Sequence, residues 1–433
     1  MDIVNEILNI ILNLVQDVLW IAIPVFLFLY IWNHRMKVIK KEHLKSIKWK
    51  TLELRIPKEV LKSPKAMEQV FAALHATYSG KIKGYDKYMK GKVQSWMSFE
   101  MVGHNGGVYF YIRTPEESVN LVESAIFSQY SNSELHEVND YTDDYPQILP
   151  NKALDLWGTD LILAKDDAYP IRTYEYFEDK DEEKRLDPIS VITETMSKLK
   201  EDEIIWLQFL IKPTDDETNE WKKKGRTIID KMMGREKKEE PKTSVFYDLS
   251  WGIYHWVRNF FRAFYTTLEW PTNEKKDAQP KTFSSLSSGE QDVVKAIEKK
   301  LAKLSFEVLI RFLFIGKKED FDKSYINAIL GAFKQFSIAN MNSIKANSET
   351  KTSMGGWTAS LFPGYKKIVE DEKKRAIYSN YKKRTMKPKS SVYSIEELAT
   401  LFHIPSAAVT APKMRRLEAK KGEPPEGLPV VSA

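Results

Sequence analysis

The stretch WMSFEMVGHNGGVYFYIR, residues 96–113, decides the fold prediction. Two strand-like segments, WMSFEMV and VYFYIR, flank a glycine-rich centre. Within that centre Asn105-Gly106 supplies the positive φ angles that a tight turn between antiparallel strands requires. The stretch therefore predicts a β-hairpin.

The segments on either side of the hairpin alternate between helix and strand. Upstream, TLELRI (residues 51–56) places Leu52, Leu54 and Ile56 on one face, which is typical of a half-buried strand. AMEQVFAALHATY then has the apolar stripe of a helix. Downstream, PEESVNLVESAIFSQY predicts a helix and SELHEV a short strand. The order β-α-β-β-α-β is that of the ferredoxin-like fold, so residues 51–140 are assigned to a first domain of this type.

A second α/β domain is predicted over residues 151–338. Its strand-like segments include LWGTDLIL, EIIWLQFLIKP and FEVLIRFLFIG, and the last two share an aliphatic-x-Phe-Leu core after an amphipathic helix. This internal similarity indicates two related halves. An insertion, residues 215–281, separates them. The predicted fold class is α+β, with two ferredoxin-like (split βαβ) domains behind an N-terminal transmembrane helix and before a charged, partly helical tail.

The N-terminus predicts a membrane anchor over residues 1–33. Residues 18–32, VLWIAIPVFLFLYIW, are uncharged, and extension towards Ile7 reaches the roughly 20 residues that a bilayer needs. The basic segment 34–50 predicts a juxtamembrane helix. Positive flanks stay cytoplasmic, so we expect a single pass through the inner membrane, with the N-terminus outside and the soluble domains in the cytoplasm. A cleaved signal peptide and a buried core helix are the alternatives.

The insertion contains an amphipathic aromatic helix at about residues 246–270. Such a helix can lie in a membrane interface, or it can pack on the domain core or bind a partner. The candidate interface residues are Trp251, Tyr254, Val257, Phe261, Phe264, Tyr265 and Leu268.

The tail, residues 339–433, contains a strongly basic stretch that could contact anionic lipid or nucleic acid. A solvated helix surface is the alternative. The candidate contacts are Lys366, Lys367, Lys373, Lys374, Arg375, Lys382, Lys383 and Arg384.

Composition and motifs exclude several kinds of chemistry. The 433 residues contain no cysteine, which rules out disulfides, thiolate catalysis and Cys-ligated metals. No phosphate loop of the Walker type, no zinc-binding histidine pair and no nucleophile elbow is present. We therefore predict no catalytic, cofactor-binding or metal-binding residues, and no cofactor. The net charge of +6 is modest for so long a chain.

Four blocks resemble an uncharacterised family of membrane-anchored bacterial proteins. They are WGTDLILAKDDAYPIRTYEYFEDKDEEKRLDPIS (157–190), SSGEQDVVKAIEKKLAKL (287–304), EELATLFHIP (396–405) and RRLEAKKGEPPEGLPV (415–430). The family is a domain of unknown function associated with type IV secretion or conjugative-transfer ATPases. In its relatives a P-loop motor of the FtsK/HerA type often follows the last block. Here the sequence departs from that pattern by ending at Ala433, so motor activity is not expected, and the resemblance carries over no catalytic residue.

These observations lead to three hypotheses about function. The first is a non-enzymatic, membrane-anchored scaffold or adaptor for a translocation motor that moves DNA or protein. The second is a membrane-tethered nucleic-acid-binding module that uses the basic tail. The third is an unrecognised enzyme. The expected partners are the membrane and a separate P-loop ATPase, with a second copy of the chain and DNA as further candidates.

Overall fold

A large, mainly antiparallel β-sheet organises the chain. The computed structural model describes residues 2–57, 62–80, 82–178, 186–215, 220–235, 283–355, 363–386, 390–405 and 416–417. The side chains of residues 2–19, 21–22, 57, 285 and 416–417 lie outside this description. So does the predicted amphipathic helix at 246–270, together with its seven candidate interface residues.

Ten strands are described, and their order in the sheet differs from their order in the chain. Their bounds are β1 (Trp49–Pro57), β2 (Met97–His104), β3 (Gly107–Pro115), β4 (Glu134–Val138), β5 (Leu154–Leu163), β6 (Ile204–Pro213), β7 (Ser305–Lys317), β8 (Ile344–Ala346), β9 (Ser391–Ser394) and β10 (Arg416–Leu417).

The helices fall between the strands and at the N-terminus. Their bounds are α1 (Asp2–Ser46), α2 (Lys65–Leu74), α3 (Gly84–Met89), α4 (Val119–Gln129), α5 (Ser190–Ser197), α6 (Glu220–Met232), α7 (Ser288–Leu301), α8 (Ser324–Lys334), α9 (Pro363–Lys382) and α10 (Ile395–Leu401).

The predicted hairpin is confirmed. Strands β2 and β3 pair antiparallel from His104 opposite Gly107 onward. The two turn residues between them, Asn105 and Gly106, have φ angles of 51° and 71°. Positive φ at both central positions is the geometry of the two-residue turn that suits the twist of the strands.

One continuous sheet replaces the two separate domains that the sequence predicts. The strand order is β10-β1-β3-β2-β6-β7-β5-β8, with β4 also pairing β1 and β9 pairing β7. Strands β2 and β6, one from each predicted domain, pair antiparallel from Met97 opposite Ile211 to His104 opposite Ile204. The two predicted ferredoxin-like halves keep their strand orders, β4-β1-β3-β2 and β8-β5-β7-β6, within this sheet. The prediction of two separate sheets is wrong, because β2 and β6, which would be edge strands of two small sheets, instead bond to each other.

The two faces of this sheet differ in character because successive side chains of a strand point to opposite sides. We call the side that bears Phe99, Phe209 and Phe312 the apolar face. It is covered by helices α2, α4, α5, α8 and α10, whose buried side chains belong to the same hydrophobic cluster. The opposite side, which we call the polar face, bears Glu100 and Trp206. Helix α9 packs on the polar face, with Tyr381 stacked on Trp206 at 4.7 Å between ring centroids.

Residues 220–302 form a second compact unit, distinct from the rest of the chain. Its helix α6 buries Trp221 and Ile229, and its helix α7 buries Val293 and Ile297. A capping box between Ser287 and Glu290 starts α7, which satisfies free backbone N–H groups at that end.

Helix α1 contains the segment that the sequence predicts as a membrane anchor. Residues 23–32 belong to its uncharged run, and the structure describes their side chains. Side chains in this run are exposed, Phe26 by 71%. Among the described residues, no helix combines the length and apolar character needed to span a membrane. The predicted transmembrane helix and single-pass inner-membrane location are therefore contradicted.

Candidate functional site

A row of buried polar side chains crosses the centre of the polar face. Glu100 on β2 lies opposite Gln208 on β6, Gln208 lies opposite Arg311 on β7, and Arg311 lies opposite Asp160 on β5. None of the four is more than 1% exposed. Burial of charged groups is strongly unfavourable unless each is paired and hydrogen-bonded, so their partners decide what the row does.

Arg311 joins the row to the end of helix α9. Its Nε donates to Asp160 Oδ1 at 2.9 Å and its Nη1 donates to Gln208 Oε1 at 3.1 Å. Nη1 also donates to the backbone carbonyl of Asn380 at 2.9 Å. One guanidinium therefore connects two neighbouring strands to the last turn of α9.

Glu100 is the most densely coordinated group of the row. Its Oε1 accepts from Ser98 Oγ at 2.5 Å and from Gln208 Nε2 at 2.9 Å. Its Oε2 accepts from the Tyr141 hydroxyl at 2.6 Å. Arg384 donates to both oxygens, from Nε at 3.0 Å and from Nη2 at 3.1 Å. Burial alone would raise the pKa of Glu100, but the charge and hydrogen bonds of Arg384 hold that pKa below its ordinary value.

Arg384 lies just after α9, in a backbone conformation that favours glycine. Its φ is 48°, yet its side chain is only 1% exposed. The left-handed conformation reverses the chain after the helix and directs the guanidinium back to the sheet. Besides Glu100, Arg384 binds Asp140 through Nη1 and through Nη2, the latter at 2.9 Å. Burial favours a higher pKa for Asp140, but the charge of Arg384 outweighs it and lowers that pKa.

Aromatic rings complete the contact between α9 and the sheet. The indole of Trp206 is fully buried and stacks against Tyr381 at 4.7 Å and Tyr378 at 5.9 Å. The hydroxyl groups of Tyr381 and Tyr141 are 2.7 Å apart. We call Glu100, Gln208, Arg311, Asp160, Arg384, Asp140, Tyr141 and Tyr381 the buried clamp. It fixes the end of α9 to the centre of the sheet.

A second feature lies where β1 and β2 begin and β3 ends. The guanidinium of Arg113 lies over the ring of Trp49, 5.2 Å from its centroid. Trp49 packs on Trp96 at 5.5 Å, and Trp96 Nε1 donates to the carbonyl of Arg384 at 3.1 Å. Beside this stack lies a cleft of about 560 Å³, lined in part by Lys48, Lys92 and Ser95.

The basic residues predicted as nucleic-acid or lipid contacts separate into two groups. Lys367, Arg375 and Lys383 are exposed, and Lys366, Lys373 and Lys382 are partly buried. Lys374 binds both carboxylate oxygens of Asp155, at 2.7 and 2.9 Å. Arg384 belongs to the buried clamp. Contact of this set with nucleic acid or lipid stays a prediction.

Of the buried clamp, only Arg384 is among the residues that the sequence singles out, and there as a surface contact. Each strand residue of the clamp is the single charged or amide residue in a mainly apolar segment, as in SFEMV, WLQFL, LIRFLF and GTDLIL. That pattern is the signal that could have found them. Among the described residues, no three His, Asp or Glu side chains gather as a group that could hold a metal ion.

Comparison with known proteins gives one match. A family model described as a domain of unknown function (DUF8128) matches residues 33–416. No curated protein matches the chain. The comparisons show no association with FtsK/HerA-type ATPases, secretion or conjugation.

Proposed function

The chain belongs to the DUF8128 family, whose function is unknown, and we propose that it is a non-enzymatic scaffold or adaptor for a P-loop ATPase that moves DNA or protein. The choice of partner rests on the sequence blocks that resemble domains preceding FtsK/HerA-type ATPases. The proposal does not include the membrane anchor.

The main observation behind the proposal is that the polar groups of the buried clamp already have hydrogen-bond partners within the protein. A catalytic carboxylate or phenol must have a lone pair or a proton that a substrate can reach. Glu100 instead accepts from four different side chains, and its residue is 0% exposed. The guanidinium N–H groups of Arg311 and Arg384 likewise donate to other groups of the protein. Groups held in this way favour a role in fixing the fold.

The course of the C-terminal part of the chain supports a scaffold role. Helix α9 packs on the polar face, whereas α10 packs against α2 on the apolar face. Strand β10 then pairs parallel with β1, with Ile56 opposite Arg416. The segment that contains α9, α10 and β10 is thus bound to both faces and to β1, which suits a domain that must hold its C-terminal segment firmly.

Association with the proposed partner can be measured directly. The full chain would be mixed with a purified P-loop ATPase of the FtsK/HerA type encoded in the same genome and analysed by sedimentation velocity. We expect a complex with a dissociation constant in the micromolar range or tighter. The chain alone should not hydrolyse ATP, and its addition should change the ATPase rate of the partner.

A matched pair of variants controls this experiment. Arg384→Lys keeps the charge but loses the two-pronged geometry towards Glu100, so it should weaken the complex. Lys383→Ala removes an exposed charge at the position next to Arg384 and should not weaken the complex. Independent sedimentation of the two proteins would contradict the adaptor role, and ATP hydrolysis by the chain alone would contradict its non-enzymatic character.

A further inference from the structure

We propose that single-stranded nucleic acid binds at the end of the sheet where β1 and β2 begin and β3 ends. In this site Trp49 and Trp96 stack on a base, and Arg113 and Lys92 of the adjoining cleft bind backbone phosphates. The site differs from the basic stretch of α9 and does not depend on the proposed scaffold function.

Arg113 is the first observation. Its guanidinium lies on Trp49 and makes no hydrogen bond or ion pair with the residues that the structure describes. The residue is partly buried, and burial together with the nearby charge of Arg384 lowers the pKa of Arg113. A desolvated cation of this kind is stabilised by an anionic group, and the fork of N–H donors on arginine matches a phosphate.

The paired indoles are the second observation. Trp49 and Trp96 are both partly exposed, with centroids 5.5 Å apart and planes tilted by 45°. The hydrogen bond from Trp96 to the Arg384 carbonyl fixes the ring in place before any ligand arrives. Aromatic rings held in this way provide a stacking surface for bases, whose sequence matters little because every base has a π-face.

The cleft beside the indoles is the third observation. Lys48 and Ser95, which line it, directly precede Trp49 and Trp96, so the cleft and the stack share one end of the sheet. Lys92 is exposed and forms no ion pair with a described residue. The acidic groups of the cleft are in part neutralised, since Asp86 binds Lys90 at 2.9 Å and Glu116 lies 3.9 Å from Lys48.

The combination favours a single strand over other anionic partners. In a duplex the base faces are stacked on one another and cannot reach an indole on the protein surface. An acidic peptide would use Arg113 and Lys92 but would gain little from the two indoles. A strand that has both free bases and phosphates uses all of these groups.

Fluorescence anisotropy with the full chain tests the proposal. The probes are fluorescein-labelled thymidine and uridine oligonucleotides, with a DNA duplex of the same length for comparison. We expect binding of the single strands that weakens steeply with salt, and at least about tenfold weaker binding of the duplex. Trp96→Leu, which keeps an apolar side chain but cannot stack, should weaken binding about tenfold.

Two lysine variants separate this site from the basic helix. Lys92→Ala should weaken binding and reduce the slope of log affinity against log salt by about one, as expected for one lost phosphate contact. Lys367→Ala removes the same charge from the exposed side of α9 and should leave binding unchanged. Circular dichroism would verify that each variant is folded.

Three results would overturn the proposal. The first is no binding of either oligonucleotide at low salt. The second is loss of binding in Lys367→Ala with normal binding in Trp96→Leu and Lys92→Ala, which would place the site on α9. The third is normal binding by Trp96→Leu together with full competition by polyglutamate, which would indicate a site for acidic proteins.

Discussion

Arg384 and Glu100 are 284 positions apart in the chain and form a two-pronged ion pair in the interior. The Nε–Oε1 and Nη2–Oε2 distances are 3.0 and 3.1 Å. The two residues are 1% and 0% exposed. This contact connects the turn after α9 to a central strand of the sheet, and the rest of the buried clamp is arranged around it.

Loss of Arg384 should destabilise the fold strongly. Arg384→Ala leaves the buried Glu100 and the partly buried Asp140 without their cation; loss of the partner of a buried charge typically reduces the free energy of unfolding by about 3–5 kcal/mol. Lys383→Ala changes an exposed neighbouring residue and should change the free energy of unfolding by no more than about 0.5 kcal/mol. Urea unfolding of both variants measures the difference, and equal stability of the two would show that the ion pair contributes little.

Acid should weaken the buried clamp. The pKa values of Glu100 and Asp140 are lowered in the folded protein, so each carboxylate adds stability above its unfolded pKa of about 4. That stability is lost as the pH falls through the lower, folded-state pKa values. Urea midpoints measured from neutral pH into this acid range should therefore fall for the parent chain. Glu100→Gln should be less stable at neutral pH and less sensitive to acid; identical acid profiles would refute this account.

Asp160 and Arg311 should behave as a coupled pair. Asp160→Ala leaves Arg311 as a buried cation without its carboxylate, with an expected loss of about 3–5 kcal/mol. In the double variant Asp160→Ala, Arg311→Leu, that unpaired charge is absent. A double-mutant cycle should therefore show a coupling free energy of at least about 1 kcal/mol, and additive effects would mean that the pair is not energetically linked.

Gly91 should be required for the docking of α1. Its φ is 65°, and a Cβ atom placed on it would lie 2.7 Å from backbone atoms of Ile39 in α1. Gly91→Ala adds left-handed strain of about 1–2 kcal/mol and an overpacking penalty of about 1–3 kcal/mol. Gly80 also has a positive φ, 72°, but nothing lies within 4 Å of its added Cβ.

The two glycine variants form a matched test. Both introduce backbone strain, so urea unfolding should show a loss in each, with the larger loss in Gly91→Ala. Limited proteolysis should detect faster cleavage around residues 36–46 in Gly91→Ala alone. If Gly80→Ala has the same effect at those residues, the close contact with Ile39 is not the cause.

Local chemistry made parts of the fold predictable. The hairpin around Asn105-Gly106 follows from turn chemistry, and strand β1 follows from the alternating apolar residues Leu52, Leu54 and Ile56. The pairing of β2 with β6 could not be predicted, because the sequence of neither strand shows which distant strand it pairs with or in which register. For that reason two halves that look complete in sequence merge into one sheet.

The buried clamp could not be predicted from the sequence for a related reason. Arg384 stands in a basic run, and a run of lysines and arginines usually marks a solvated surface. Its burial depends on its own left-handed conformation after α9 and on Glu100 and Asp140, both distant in sequence. A lone glutamate in β2 and a lone arginine in β7 are visible in the sequence, but only their alignment across neighbouring strands shows that they act together.

Hydrogen–deuterium exchange of residues 377–386 tests most directly the claim that the buried clamp holds the C-terminal segment on the sheet. The parent chain, Arg384→Ala and Lys383→Ala would be compared under conditions in which circular dichroism shows all three to be folded. We predict much faster exchange of these residues in Arg384→Ala, with unchanged protection of strand β3, and parent-like exchange in Lys383→Ala. Unchanged protection of residues 377–386 in Arg384→Ala would contradict the claim.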